Sequence, residues 1–494
     1  MDTRQTGTAF GASSLLLLDG PGGHEVTPDP QKASFWRPCY LNRIPCPAPA
    51  VNQSPTTTKT PVTDARRAAA DICADLRSGT LLDAAFERRA AQLDGRDRRW
   101  TQELVYGMLR KRGWIDHALS VRVRGGIARL DGDLTDLIRL GAQQLLEMGS
   151  VPAYAAIAQT VELAKQRHGI GASKLVNAVL RRLDRERSSI GADLPVDPID
   201  ALSTEFSHPR WLVARWMARF GAEETRALLE ANNREAPVIV RPWGVVREQL
   251  EAMLESAGVR VEEAPLARDS IRISGPVYLF DVAAFTQGAC FVQDPAATLV
   301  TQYAAVPPGA TVADLCSAPG GKSIELARTA ALVISADLSP RRLERLASTK
   351  QRLDLNNIAP VAFDAREPAI SPVDAVLVDA PCTGTGTFRR HPDARWRLRL
   401  SDLAVTAMMQ RDILRSAAHV VKPGGLLIYS TCSLEPEENE AQVEIFLATH
   451  PGWALEAPPA GAVPEETIDG GYLRVLPQAH GADGAFAARL RSPA

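Results

Sequence analysis

The chain has 494 residues, with 56 Lys+Arg against 58 Asp+Glu and a formal net charge of -2. At roughly 100–200 residues per domain it holds two to four domains. No run approaches the ~18 apolar residues of a membrane helix, which excludes an integral membrane protein of that kind.

Residues 1–62 are rich in Pro, Gly, Ser and Thr and lack periodicity, as in VNQSPTTTKTPVT. They read as a disordered tail, or as a misassigned start. The apolar patch Leu15–Leu18 is too short for a secretion signal. A helical domain is expected over 63–195. Ile157, Val161 and Ala164 form one stripe in it, and Leu175, Val179, Leu180 and Leu183 form another. Between residues 64 and 190 there are 22 basic and 16 acidic side chains. Near-neutrality of the whole chain therefore conceals a basic domain, readable as a solvated face or as an RNA-binding one.

A small α/β connecting module is expected over 196–285, with helices at Trp211–Phe220 and Glu223–Ala231 and strands at APVIVRP and GPVYLF. From 286 to 494 short apolar strands (TVADLC, LVISAD, DAVLVD, GLLIYST) alternate with helical stretches. That alternation predicts a mostly parallel, doubly wound, Rossmann-like α/β sheet.

In the segment SAPGGKSIELA a small-residue turn opens a helix after TVADLC. A phosphate-cradling loop would need glycine at 316, which is Cys316, and no G-x-G-x-x-G follows a strand here. An adenosine-type ligand remains. Asp337 ends the second strand 23 residues after Asp314, where a ribose-binding carboxylate belongs. Asp364 follows the third strand, where an adenine-edge contact would come. Any one of these aspartates could be a helix cap, but ligands bind outside the carboxyl ends of such strands.

Asp379 and Cys382 follow the fourth strand, and Cys432 the fifth. Two thiols at adjacent strand ends call for a chemical explanation. A thiolate adding to carbon 6 of cytosine would turn carbon 5 into a nucleophile for an electrophilic methyl group. Asp379 could hydrogen-bond the ring as an acid, and the second thiol could assist the closing elimination. Lys322 is the nearest cation by sequence to lower a thiol pKa of about 8.5. Downstream, FRRHPDARWRLR packs five arginines with Phe388, His391 and Trp396, a pattern suited to RNA contacts or to a loop anchored by Trp396.

The segments DLCSAPGGKS, ADLSPRRL, FDAR, VDAPCTGTGTFRRHPDARW and KPGGLLIYSTCSLEPEENE resemble the RNA cytosine-5 methyltransferase family. The front half, most clearly KLVNAVLRRL, resembles the NusB RNA-binding fold. The stretch between resembles the RsmB (Sun) branch, which methylates a cytosine of 16S ribosomal RNA. The resemblance implies S-adenosyl-L-methionine as cofactor, held by Cys316, Ser317, Ala318, Pro319, Gly320, Gly321, Lys322, Asp337, Asp364 and Asp379. It implies Cys432 as nucleophile and Cys382 as the thiol that helps release product. A noncatalytic RNA-binding factor, or an enzyme for transfer RNA or DNA, is the alternative. The seven scattered cysteines, with no C-x-x-C pair, fit the reducing cytoplasm and give no zinc site. The expected state is a monomer whose partner is small-subunit ribosomal RNA, with no membrane and no metal.

Overall fold

The computed structural model describes residues 61–191, 194–275 and 278–494. The expected tail lies outside them up to residue 60. Pro61 and Val62 pack onto the helical domain, where the Gln159 amide donates to the Pro61 carbonyl (3.2 Å) and Val62 is buried.

The helical domain comprises α1 (Asp64–Arg77), α2 (Leu82–Ala90), α3 (Gly95–Arg110), α4 (Arg112–Ser120), α5 (Gly132–Leu146) and α6 (Ala153–Arg185). Asp94 caps α3 by accepting from the Asp97 amide, and Asp131 caps α5 through Asp133 and Leu134. α6 breaks at Gly169, whose φ of 81° suits glycine. The two apolar stripes therefore sit on separate segments. Ile157, Ala164, Val179, Leu180 and Leu183 are buried in one core with Ile72, Leu104 and Ile138, and Val161 and Leu175 lie at its margin.

Next come α7 (Pro198–Glu205), α8 (Arg210–Asn233), β1 (Val238–Pro242), α9 (Arg247–Ser256), β2 (Arg260–Glu263), β3 (Ile271–Ser274), α10 (Ala283–Thr286) and β4 (Cys290–Val292). The strands form an antiparallel sheet in the order β2-β3-β1-β4. Of the expected strand GPVYLF, residues 276 and 277 lie outside the described residues, and Leu279–Asp281 form a single 3₁₀ turn. Proline at 276 has no N–H for a ladder, and the strand potential lies instead in Ile271–Ser274.

The last part comprises α11 (Pro295–Ala304), β5 (Thr311–Asp314), α12 (Gly321–Leu326), β6 (Leu332–Asp337), α13 (Pro340–Arg352), β7 (Ile358–Ala362), β8 (Val373–Asp379), α14 (Ala394–Arg397), α15 (Leu400–Ala418), β9 (Val421–Thr431), α16 (Glu440–Thr449), β10 (Ala454–Leu455), β11 (Ile468–Asp469), β12 (Tyr472–Val475), α17 (Pro477–His480) and β13 (Ala485–Arg491). The sheet order is β11-β12-β13-β9-β8-β5-β6-β7, with β9 through β7 parallel and β11 to β13 antiparallel. Residues from α11, α12 and α13 cover one face and residues from α15 and α16 the other. Coverage on both sides explains the unbroken apolar run Ala375–Val378. Among the described residues no helix is long and apolar enough to cross a membrane.

Candidate active site

All four catalytic candidates lie at the carboxyl edge of the parallel strands. Asp379 ends β8 in register with Ser430 of β9, so the segments leaving both strands start side by side. They bring the Cys382 and Cys432 sulfurs to 3.4 Å. The contact with Cys432, reinforced by burial, pushes the Cys382 thiol well above its ordinary pKa, so it holds its proton at neutral pH.

Lys322, in the first turn of α12, donates from Nζ to Asp379 Oδ2 at 2.7 Å. Burial opposes its charge, and the Asp379 carboxylate more than reverses this, leaving the pKa raised; Cys432 is among the groups acting the same way. The other Asp379 oxygen accepts from the Ser430 hydroxyl (2.8 Å). Both Asp379 oxygens thus accept from neighbouring side chains, Lys322 and Ser430.

The turn Cys316–Gly320 lies against β6. The Ser317 amide donates to the Ala336 carbonyl (2.8 Å) and the Ala318 amide to Asp337 (3.3 Å), with a cis bond before Pro319. Gly320 has a φ of 109°, and a Cβ there would stand 2.3 Å from Leu346 Cδ1, so the turn packs on α13 only as glycine. At Gly321 a Cβ would meet the Gln293 amide at 3.1 Å. Asp337 also accepts from the Ser339 amide (2.9 Å) and faces Arg342 (3.4 Å). Burial raises the Cys316 thiol pKa. Asp314, fully buried, is pushed up to about 7 by burial, against the opposing Ser323 hydroxyl that donates to it. Asp364 stands apart from this network, its carboxylate bound to Arg366 (2.6 Å).

A second carboxylate at the thiols escaped sequence reasoning. Glu438, fully buried, accepts from the Thr383 amide (2.9 Å), the Thr383 hydroxyl and the Gln410 amide (3.2 Å). It fixes the backbone beside Cys382. Its only signal was its place in the acidic run EPEENE, where the other carboxylates read alike. Neighbouring Glu435 accepts from Arg215 (2.9 Å) and Trp216 (3.0 Å) of α8.

Much of the basic loop is engaged internally, while Arg397 and Arg399 stay exposed. Arg389 and Arg390 both pair with Asp294 and Asp483. Arg395 is fully buried on Asn233 (2.7 Å) and the Asn232 carbonyl (2.9 Å), and burial lowers its pKa to about 9. Phe388 is buried in the core with Trp216. Trp396 donates from Nε1 to the Leu109 carbonyl (2.8 Å), which anchors the loop to the helical domain. A guanidinium leaves water only against acceptors, and this fold supplies them.

Family models match along the chain: the NusB family at 63–185, an RsmF/B-like ferredoxin-like domain at 208–279, and 16S rRNA methyltransferase RsmB/F at 303–491. The probable ribosomal RNA small subunit methyltransferase B of Synechocystis is 33% identical over 444 residues, 86% of this chain and 99% of that protein. The chain belongs to the RsmB/F methyltransferase family. Ribosomal RNA small subunit methyltransferase B of Vibrio cholerae is 35% identical over 419 residues, covering 81% of this chain and 94% of that one. The solved structure of PH0851 is 27% identical with a TM-score of 0.74, covering 86% of this chain and 98% of its own. In this RsmB/F family member the methyltransferase match spans the turn at Cys316, both thiols and Asp379.

Proposed function

We propose that this methyltransferase acts in the cytoplasm, transferring a methyl group from S-adenosylmethionine to carbon 5 of a cytosine in small-subunit ribosomal RNA. The observation that carries the reading is the 3.4 Å approach of Cys382 and Cys432 beside the Lys322–Asp379 pair. The names of the relatives support ribosomal RNA as the substrate. The residues at the strand ends fit the cofactor. Asp337 and Asp379 supply acceptors for ribose hydroxyls and an ammonium group, and the buried Ser317 Oγ has no partner among the described residues.

When bound, S-adenosylmethionine supplies an electrophilic methyl group. The Cys432 thiolate adds to carbon 6 of the cytosine, and the electron pair released into the ring makes carbon 5 nucleophilic. Lys322 holds positive charge near the thiolate. Asp379, its oxygens shared with Lys322 and Ser430, accepts from the cytosine amino group and orients the ring. After methylation the carbon 5 proton passes to a base as the carbon 6–sulfur bond breaks and Cys432 leaves as thiolate. Cys382 is the thiol beside it that assists this elimination.

Bisulfite sequencing of RNA from a deletion strain tests the reading. Loss of one methylated cytosine from small-subunit RNA, restored by the wild-type chain and not by Cys432→Ala, supports it. Intact small-subunit methylation overturns it, and loss confined to transfer RNA moves the acceptor there.

A further inference from the structure

We propose that the seam between the helical domain and the loop after Cys382 holds a pocket for one unpaired nucleotide of the RNA substrate, with Arg112 as its phosphate contact. The inference rests on the proposed RNA substrate and adds a second point of attachment to it.

A cavity of about 430 Å³ opens at this seam, within the size range of small-ligand sites. Leu76, Met108, Leu109 and Ile127 give it apolar walls on the helical side, and Trp396 closes it from the catalytic side. The Trp396 ring is fixed by its bond to Leu109, and the Arg112 guanidinium lies 5.2 Å from the ring centroid. An indole and a guanidinium plane are the surfaces on which unpaired RNA bases stack.

The charges around the cavity are unequal in their commitments. Arg139 holds Asp116 through two bonds (2.7 and 2.8 Å) and also Asp136 (3.0 Å). Arg77 takes Asp133 and Asp136, and Arg397 takes Asp393 (3.0 Å). The cavity's carboxylates are therefore neutralised. Arg112 is different: among the described residues its nearest carboxylate is Asp116 at 3.9 Å, beyond hydrogen-bond reach, and Asp116 is already claimed. Burial lowers the Arg112 pKa, a sign that its charge is partly desolvated. A half-buried guanidinium with unclaimed N–H groups is matched by an anion that arrives with the ligand. Arg124 and Arg129 are exposed on the connection between α4 and α5, beside Ile127 and Ala128 of the cavity wall, and add positive charge at this side. Apolar walls, a stacking plane and one guanidinium that holds no carboxylate at hydrogen-bond distance among the described residues together describe a nucleotide and not a simple anion.

The test uses the full chain and fluorescein-labelled small-subunit ribosomal RNA, followed by anisotropy, with three variants. Arg112→Met removes the charge, Arg112→Lys keeps it without the planar fork, and Ala128→Trp fills the cavity from an exposed position. The expected result is an RNA Kd raised about 10-fold or more in Arg112→Met and Ala128→Trp, with Arg112→Lys intermediate. S-adenosylmethionine affinity and the thermal midpoint should stay at wild-type values. RNA affinities within twofold of wild type in folded Arg112→Met and Ala128→Trp overturn the proposal. If Arg112→Met melts early, Ala128→Trp decides it alone. Calorimetry with the four nucleoside 5′-monophosphates separates the ligand's source: tight binding of a free nucleotide, with RNA affinity unmoved in the variants, also overturns it. A wild-type chain that neither binds nor methylates any RNA defeats the proposed function instead.

Discussion

The sulfurs of Cys382 and Cys432 lie 3.4 Å apart although 50 residues separate them, because β8 and β9 run parallel and in register at Asp379 and Ser430. At that distance one thiol can form a bond to a base while the other touches the same reacting edge.

Their division of labour has a direct signature. Cys432→Ala should lower turnover by about 10³-fold or more, since no other group replaces the attacking thiolate. Cys382→Ala should instead trap RNA on Cys432 and give a slow-migrating band on denaturing gels. The band appearing with Cys432→Ala would exchange the two roles.

Lys322 is expected to act on rate more than on binding. Lys322→Met removes the cation beside Cys432 and the partner of Asp379. The rate should fall about 10²-fold with little change in the RNA KM. A rate within about twofold of wild type would remove Lys322 from the catalytic machinery.

Asp314 makes a prediction about stability. Burial pushes its folded pKa up to about 7. Between about pH 4 and 7 the native state keeps a proton that the unfolded chain has released, so this group's contribution falls as pH rises. Asp314→Asn, which can still accept from Ser323, removes that dependence. Its thermal midpoint should gain on wild type from pH 4 to 7, and a constant difference would show that Asp314 is ionised throughout.

The quartet of Arg389, Arg390, Asp294 and Asp483 is expected to hold structure and not RNA. Arg389→Ala leaves two buried carboxylates on one guanidinium and should cost about 3–5 kcal/mol, read from denaturant unfolding. RNA affinity measured well below the melting temperature should stay within about twofold. A stable variant with lost RNA affinity would return this loop to the RNA surface.

The parallel sheet was legible because its strands are largely apolar runs, of which β5, β6 and β8 close on an aspartate and β9 on Ser430-Thr431. The break in α6 was readable only as two stripes, since the φ that Gly169 adopts carries no periodic signal. The basic loop misled for a physical reason. The carboxylate of Asp294 that claims Arg389 is 95 residues away, and local composition cannot show such a partner. Glu438 stayed hidden likewise, because its burial depends on Gln410 from α15.

β9, which delivers Cys432, lies between β8 and β13, and β13 begins at Ala485. As the chain is synthesised from its N-terminus, β9 therefore remains an open sheet edge until residues 485–491 have emerged. An unpaired edge is a template for intermolecular pairing. Gly386 and Gly484 then bring backbone against backbone, since a Cβ on Gly386 would stand 2.7 Å from both the Cys432 carbonyl and the Gly484 Cα. The nascent polypeptide thus sets Cys432 in place only at a late stage of translation, and chains released before Ala485 carry this cysteine without the strand that supports it.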